Sequence, residues 1–512
     1  MARVNGTSGD DVLDGTDGND ILNGFAGNDT INGSLGDDIA FGGRGFDTFI
    51  LGTGVDHFDG GAGIDTIKVD LSSFQDDQFR LSVNMQTGQF NNSLGVREDT
   101  FENIERFVLF GDTKIDTEIL GDSKNNRFVS SNGNDVLNGA GGDDWLDGGR
   151  GDDILRGGDG NDVFVIGTGV DHFDGGAGVD NIQVDLSSFQ DDQFTLSFDM
   201  RTGEITNSLG VGEDTLENIE NVLLFGDRKI DTQILGDNQA NNFSTSNGND
   251  VLNGAGGIDT LDGGRGDDIL RGGKGNDNLI IGTGADHFDG GAGIDSIFVR
   301  LSSFQDDQFT MSVNMRSGEI TNSLGVGEDT IENVERVLLF GNTKIDTEFL
   351  GDFKKNEFIA SNGNDVLNGA GGNDRLWGGQ GNDILKGGSG QDFLVGDLGK
   401  DVMTGGRGFD EFVFRSHVAS GIRTNERDVI TDFSTSDEEK INLSQIDAKT
   451  GRLNQAFDFI GETAFSGSKG ELRYEKKANK TIIEADRNGD RVADFAIEIS
   501  KVMDLQEGDF IL

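Results

Sequence analysis

The sequence predicts an all-β chain wound into an elongated parallel β-roll, a β-solenoid, and three observations carry that expectation. The first is a nine-residue repeat. From Gly6 the chain divides into GTSGDDVLD, GTDGNDILN, GFAGNDTIN, GSLGDDIAF, GGRGFDTFI, LGTGVDHFD and GGAGIDTIK. The second is composition: 82 Gly, no Pro and no Cys in 512 residues, a glycine density that calls for a repetitive backbone. The third is charge. With 93 acidic and 41 basic side chains the formal charge is -52, so the chain repels nucleic acid and anionic membranes and attracts cations.

Each unit divides into a turn and a strand. Its first six residues are Gly-rich and polar and favour a turn; its last three set one apolar side chain between two others, a short strand with the middle residue inward. That eighth place holds Leu13, Leu22, Ile31, Ala40, Phe49, Phe58 and Ile67 in the first run. One such strand buries little. Stacked into two parallel sheets, successive strands enclose the eighth-place side chains as a dry interior. Four runs carry the pattern, residues 1–68, 130–183, 245–299 and 360–414, with 25 units in all.

The sixth place of every unit is Asp: Asp11, Asp20, Asp29, Asp38, Asp47, Asp56 and Asp65; Asp135, Asp144, Asp153, Asp162, Asp171 and Asp180; Asp250, Asp259, Asp268, Asp277, Asp286 and Asp295; Asp365, Asp374, Asp383, Asp392, Asp401 and Asp410. Stacking lines these carboxylates up, and their repulsion demands a cation. Calcium fits, since it takes about six to eight hard oxygen ligands and Gly turns let backbone carbonyls approach. Zinc would want His or Cys, and four His without Cys cannot serve the ladder. The unit GGxGxDxUx resembles the calcium-binding nonapeptide of RTX, or hemolysin-type, repeat proteins, over most of the chain. The resemblance implies multiple calcium ions and an extracellular protein.

A second period lies above the first, because Asp20, Asp135, Asp250 and Asp365 are 115 residues apart, no multiple of nine. Inserts at about 69–102, 184–217 and 300–332 break the register and open the segments 69–129, 184–244 and 300–359. In the middle one Phe194, Leu196, Phe198 and Met200 alternate with polar residues up to a Thr202-Gly203 turn, a strand entering a hairpin. The expectation is an edge hairpin packed beside the roll; the alternative is an exposed surface for a glycan or protein partner. Residues 219–243 regain the apolar spacing without most of the Asp and Gly, and read as metal-free coils.

After Phe414 the repeat stops. Residues 415–512 contain DVITDFSTSDEEKINLSQIDA, AFSGSKGELRY, IIEADRNGDRVADFAIEI and GDFIL, which together resemble the C-terminal module of serralysin-type proteases. That resemblance implies a β-rich module with an uncleaved type I secretion signal ending in Asp509-Phe510-Ile511-Leu512, a type I secretion apparatus as partner, and an extracellular destination. The N-terminal MARVNGTSGD has no apolar secretory stretch and by itself reads as cytosolic; the tail reverses that reading. No apolar run approaches membrane-spanning length. Asp486, Asn488, Asp490 and Asp494 have the oxygen spacing of a calcium loop, but Arg491 stands where Gly belongs and no Glu closes it. A ligand set and a plain strand-turn both remain open.

No H-E-x-x-H, the mark of serralysin activity, occurs, nor a G-x-S-x-G elbow, a P-loop or a cysteine nucleophile. His57, His172 and His287 share one repeat position and read as strand residues, with His417 apart. The expected function is therefore a non-catalytic, secreted calcium-binding protein, adhesive or associated with a matrix or surface. The alternative is a polysaccharide-active or polysaccharide-binding protein, epimerase-like or lyase-like, since mannuronan epimerases end in similar rolls. Ice binding would need a regular Thr ladder, and Thr30, Thr48 and Thr66 read as too scattered for one.

Overall fold

Alternate nonapeptides feed alternate sheets, so one coil of the roll takes two units. The computed structural model describes residues 1–73, 80–92, 99–188, 195–207, 214–300, 310–322, 329–341, 344–449 and 455–512. The chain divides into two compact units, Met1–Leu252 and Asn253–Leu512, with the same plan within each. In the first, Arg3–Asn5, Ile21–Ala26, Ile39–Arg44 and His57–Ala62 pair in parallel, with Ile21 opposite Ile39 and Ile39 opposite His57. Val12–Asp14, Thr30–Asn32, Thr48–Ile50 and Thr66–Asp70 form the second parallel sheet. The second unit opens likewise, Ile269–Lys274 beside His287–Ala292 in one sheet and Thr260–Asp262 beside Asn278–Ile280 in the other.

The central side chain of each strand points inward as the pattern requires. Leu22, Ile31 and Phe49 are fully buried, as are Leu146, Phe164 and Phe173 further along. The fourth-place Gly is needed for stacking. Gly45 has φ 134°, and a Cβ there would strike the carbonyl of Gly27 in the neighbouring turn, so any larger residue forces the coils apart. Thr30, Thr48 and Thr66 are not scattered but lie opposite one another across three strands. Their row is short, ending at Val12 on one side and Arg106 on the other, because the Thr is supplied by single units and not by the repeat.

The inserts differ from the expected edge hairpins. In the first, Asp99–Glu102 pairs in parallel with His57–Ala62, Gln89–Asn92 runs antiparallel to it and to Arg80–Asn84, and Arg80–Asn84 pairs in parallel with Asp116–Leu120. The hairpin is thus woven into the sheet. Leu81, Val83, Phe90 and Phe101 join the interior, and the facing edges of His57–Ala62 and Asp116–Leu120 are both paired by the insert. Thr195–Asp199, Glu204–Asn207 and Asp214–Glu217 repeat the arrangement, with Leu196 and Phe198 buried; Phe194 lies outside the described residues. Thr310–Asn314, Glu319–Asn322 and Asp329–Glu332 do the same in the second unit. On the opposite sheet Arg106–Phe110 pairs with Thr66–Asp70 and Arg127–Val129, so the Asp-poor segment continues the roll.

The terminal segment extends both sheets. Val429–Ile430 pairs with Val402–Arg407 and with Phe495–Ile499, which joins Thr481–Asp486 and Glu471–Lys476 in an antiparallel meander. Lys440–Asn442 bridges Glu411–Val413 and Phe510–Ile511. Phe414 packs edge-on against Phe495, with centroids 5.7 Å apart. No helix among the described residues is long and apolar enough to cross a membrane.

Phe164 is fully buried and meets Phe173 edge-on at 6.0 Å. Phe164→Ala is expected to cost the calcium-loaded protein about 3–5 kcal/mol, measured by denaturant unfolding; a loss near zero would contradict the two-sheet interior.

Candidate metal centre

The repeated Asp side chains point into the turns, where almost no water reaches them. Asp29, Asp38, Asp144, Asp153, Asp162 and Asp383 are among those exposed by 2% or less. Each carboxylate divides its two oxygens between two tasks. Oδ1 accepts the backbone N–H of the ladder residue one coil earlier: Asp11 donates to Asp29, Asp20 to Asp38, Asp29 to Asp47, Asp38 to Asp56 and Asp47 to Asp65, at 2.7–2.9 Å. Asp135, Asp144, Asp153 and Asp162 continue in the same way to Asp153, Asp162, Asp171 and Asp180 at 2.7–3.0 Å. In the second unit Asp259, Asp268 and Asp277 donate to Asp277, Asp286 and Asp295, and Asp365, Asp374, Asp383 and Asp392 to Asp383, Asp392, Asp401 and Asp410. Asp250 closes the first unit's ladder by accepting from Thr232.

The second oxygen has no such partner. Oδ2 is buried without a hydrogen bond in Asp29, Asp38, Asp47, Asp65, Asp135, Asp144, Asp153, Asp162, Asp180, Asp277, Asp295, Asp365, Asp374, Asp383, Asp392, Asp401 and Asp410. It faces the first-place Gly of its own unit. A Cβ on Gly24 would meet both Asp29 Oδ2 and the Gly42 carbonyl, and one on Gly157 both Asp162 Oδ2 and the Gly175 carbonyl. Glycine thus keeps open a cradle with a carboxylate oxygen and a carbonyl oxygen on its wall. A hard, oxygen-seeking cation fits that donor set. Among the described residues no three His, Cys, Asp or Glu side chains converge as a metal cluster; backbone carbonyls share the role here.

Burial without a counter-charge raises these acids. Burial, with repulsion from neighbouring carboxylates, carries Asp56, Asp135 and Asp153 to about 7 and Asp144, Asp374 and Asp383 to about 8, while their backbone hydrogen bonds pull the other way. Asp11 and Asp20 stand apart. Their Oδ2 atoms accept the amide and hydroxyl of Thr7 (2.5 and 2.9 Å) and Thr16 (2.6 and 2.7 Å), and the Thr16 bonds hold Asp20 below the usual range. The second place of the turn is left-handed at Phe25 and Ser34 but not at Thr7 or Thr16. A β-branched side chain resists that conformation, and its N–H turns inward instead.

Several ladder members escaped the nonapeptide pattern. Asp56, Asp171 and Asp286 donate to Asp99, Asp214 and Asp329 at the ends of the inserts. Asp65, Asp180 and Asp295 donate to Glu105, Glu220 and Glu335, whose longer side chains span a shortened turn. Lys124 and Lys354 place ammonium groups 3.0 and 3.3 Å from Glu105 and Glu335, a built-in counter-charge. Asn126 and Asn356 fill the ladder beside Asp144 and Asp374. In the terminal segment Asp401 donates to Asp428, whose Oδ2 is buried without a partner, as is Oε1 of Glu439. The D-x-apolar strand signature of Asp99, Asp214, Asp329 and Asp428 was the available signal.

Of Asp486, Asn488, Asp490 and Asp494, the structure joins Asn488 to Asp494, Asn488 Nδ2 donating to Asp494 Oδ1 at 2.9 Å. Asp486 accepts from Gly489 and Arg491, Asn488 from Asp490, Asp490 from Val492, and Asp494 from Arg487. These bonds make the segment a side-chain-locked strand-turn. His57, His172 and His287 lie on the sheet surface with Nδ1 2.7–2.9 Å from Thr100, Thr215 and Thr330.

A parallel β-roll whose turns present a ladder of buried aspartates defines a class of calcium-dependent repeat proteins. The family model of the RTX calcium-binding nonapeptide repeat matches residues 5–40, 32–67, 120–155, 129–164, 147–182, 244–279, 280–298, 351–385, 359–394 and 377–412, so the chain carries RTX calcium-binding repeats in all four runs. Solved structures that resemble part of it include two subunits of the Azotobacter vinelandii mannuronan C5-epimerase. R2 is 19% identical over 34% of this chain and 94% of its own, with TM-score 0.19; R3 is 20% identical over 31% and 73%, with TM-score 0.17. No curated protein matches the chain.

Two outcomes follow from the geometry. Asp162→Asn removes a cradle oxygen and is expected to lose about one bound calcium, whereas Asp11→Asn, already served by Thr7, leaves the number unchanged; equilibrium dialysis counts both. Because the folded-state acids are raised from 3.8 to about 6–8, protonation favours the metal-free roll. In chelator, β-structure is expected to be fullest near about pH 4 and to be lost as pH rises through the raised values, followed by far-ultraviolet circular dichroism; a signal growing with pH would contradict the burial of the ladder.

Proposed function

We propose that the chain is a secreted, non-catalytic calcium-binding protein that folds on meeting extracellular calcium and serves adhesion, a matrix or a cell surface. The observation that supports this reading is the row of buried carboxylate oxygens without hydrogen-bond partners. Bound calcium supplies the positive charge that such a row lacks. Where free calcium is low, the same aspartates favour water over burial and keep the chain open. A chain without Cys or Pro is also easily threaded.

The tail supports export by its resemblance to the serralysin module. In the folded protein Phe510–Ile511 is paired with Lys440–Asn442, Phe510 is buried, and Asp509 accepts the N–H of Gln506. A type I secretion apparatus would therefore read this ending before the module folds. The non-catalytic reading is supported by what the acids do: the ladder aspartates are committed to backbone amides and cradles, and are not arranged as a general acid and base.

The test is export by cells carrying a type I apparatus. The full chain is expected in the medium and a chain lacking residues 480–512 in the cells. Confinement of the full chain to cells, or normal export of the shortened one, overturns the secreted reading.

A further inference from the structure

The third insert differs from its counterparts in how its cations are used. Where it rejoins the roll, a surface cavity of about 520 Å³ is lined by Arg336, Lys354, Lys355, Asn356 and Arg375, with Glu335 and Glu357 as its acids. Lys354 pairs with Glu335 at 3.3 Å and Arg336 with Glu357 at 3.0 Å. Lys355 and Arg375 have no carboxylate partner among the described residues, so the lining holds four cations against two acids. In a chain of charge -52 this is a locally positive site. The matching places nearer the N-terminus hold Asn125 and Trp145 in the first copy, where Arg127 covers the indole ring at 4.9 Å, and Ala240 in the second.

Asn356 supplies an independent observation. It is 1% exposed, its Oδ1 accepts the Asp352 N–H at 3.0 Å, and its Nδ2 donor is buried without a partner. The equivalent amides are both spent: Asn126 Nδ2 donates to Asp122 at 3.3 Å and Asn241 Nδ2 to the Glu220 carbonyl at 3.2 Å. In the third copy a buried amide donor remains unused beside two cations without a carboxylate partner. A buried donor without an acceptor is costly, and an anionic acceptor satisfies it best.

We propose that this cavity binds an oxyanion, a carboxylate or sulfate group, through Lys355, Arg375 and Asn356 Nδ2. Either a free acid or a group borne on an acidic saccharide presents this chemistry. The site lies beside the ladder carboxylates, Asp374 belonging to the same turn as Arg375, so calcium in the ladder lowers the repulsion an incoming anion meets. Anion binding therefore depends on calcium.

The experiment titrates the calcium-loaded full chain at low ionic strength with sodium sulfate and, separately, with sodium glucuronate, by calorimetry and by amide chemical shifts. Saturable binding of at least one probe is expected, weakened about tenfold or more in Lys355→Ala/Arg375→Ala. Binding of both probes assigns a general oxyanion site; binding of glucuronate alone assigns an acidic saccharide. Both variant positions are exposed, and unchanged circular dichroism shows the roll intact. No binding of either probe, or equal binding by the double variant, overturns the proposal. Calcium counts on the same samples keep this outcome separate from any failure of the secreted, calcium-binding reading.

Discussion

The structure depends on one constraint: the aspartate at the sixth place of the nonapeptide must be buried if the strands on either side are to pair. A carboxylate without water requires partners for both oxygens. One oxygen finds the backbone N–H of the coil before it, which locks the 18-residue register between coils such as Asp20 and Asp38. The other faces a gap beside glycine. The same atom therefore serves the architecture and the chemistry, and the interior cannot form without settling the charge on its wall.

The exceptions show how strong the constraint is, because the chain answers it in several ways. Thr7 and Thr16 answer with hydroxyl and amide donors at the first two turns. Lys124 and Lys354 answer with ammonium groups where a glutamate stands in for the aspartate. Asn126 and Asn356 answer with a neutral side chain. Elsewhere the gap is left to a cation. At the entry to each woven hairpin the ladder takes one further step, Asp99, Asp214 and Asp329 accepting from Asp56, Asp171 and Asp286.

Much of this was legible in the sequence. A repeat whose polar and apolar places are fixed by stacking identical coils announces the two sheets, the buried eighth place and the aspartate ladder, since every unit meets the same local environment as the last. Residues 219–243 showed as Asp-poor coils of the same roll for the same reason: their apolar spacing persisted while the Asp and Gly did not.

What only the tertiary structure decided lies where neighbours are remote in the chain. Nothing within the insert says whether its hairpin packs beside the sheet or enters it; the edges of His57–Ala62 and Asp116–Leu120, which its strands pair, decide that. The row formed by Thr30, Thr48 and Thr66 exists only because two units make one coil. Asp486 and its neighbours had the spacing of a calcium loop, but their oxygens turn onto the loop's own amides. The sequence by itself determined the coil, its interior and the charged ladder, because these are set by periodicity. The three-dimensional fold decided which carboxylates are already satisfied and which still need a cation, because that depends on donors brought from other turns.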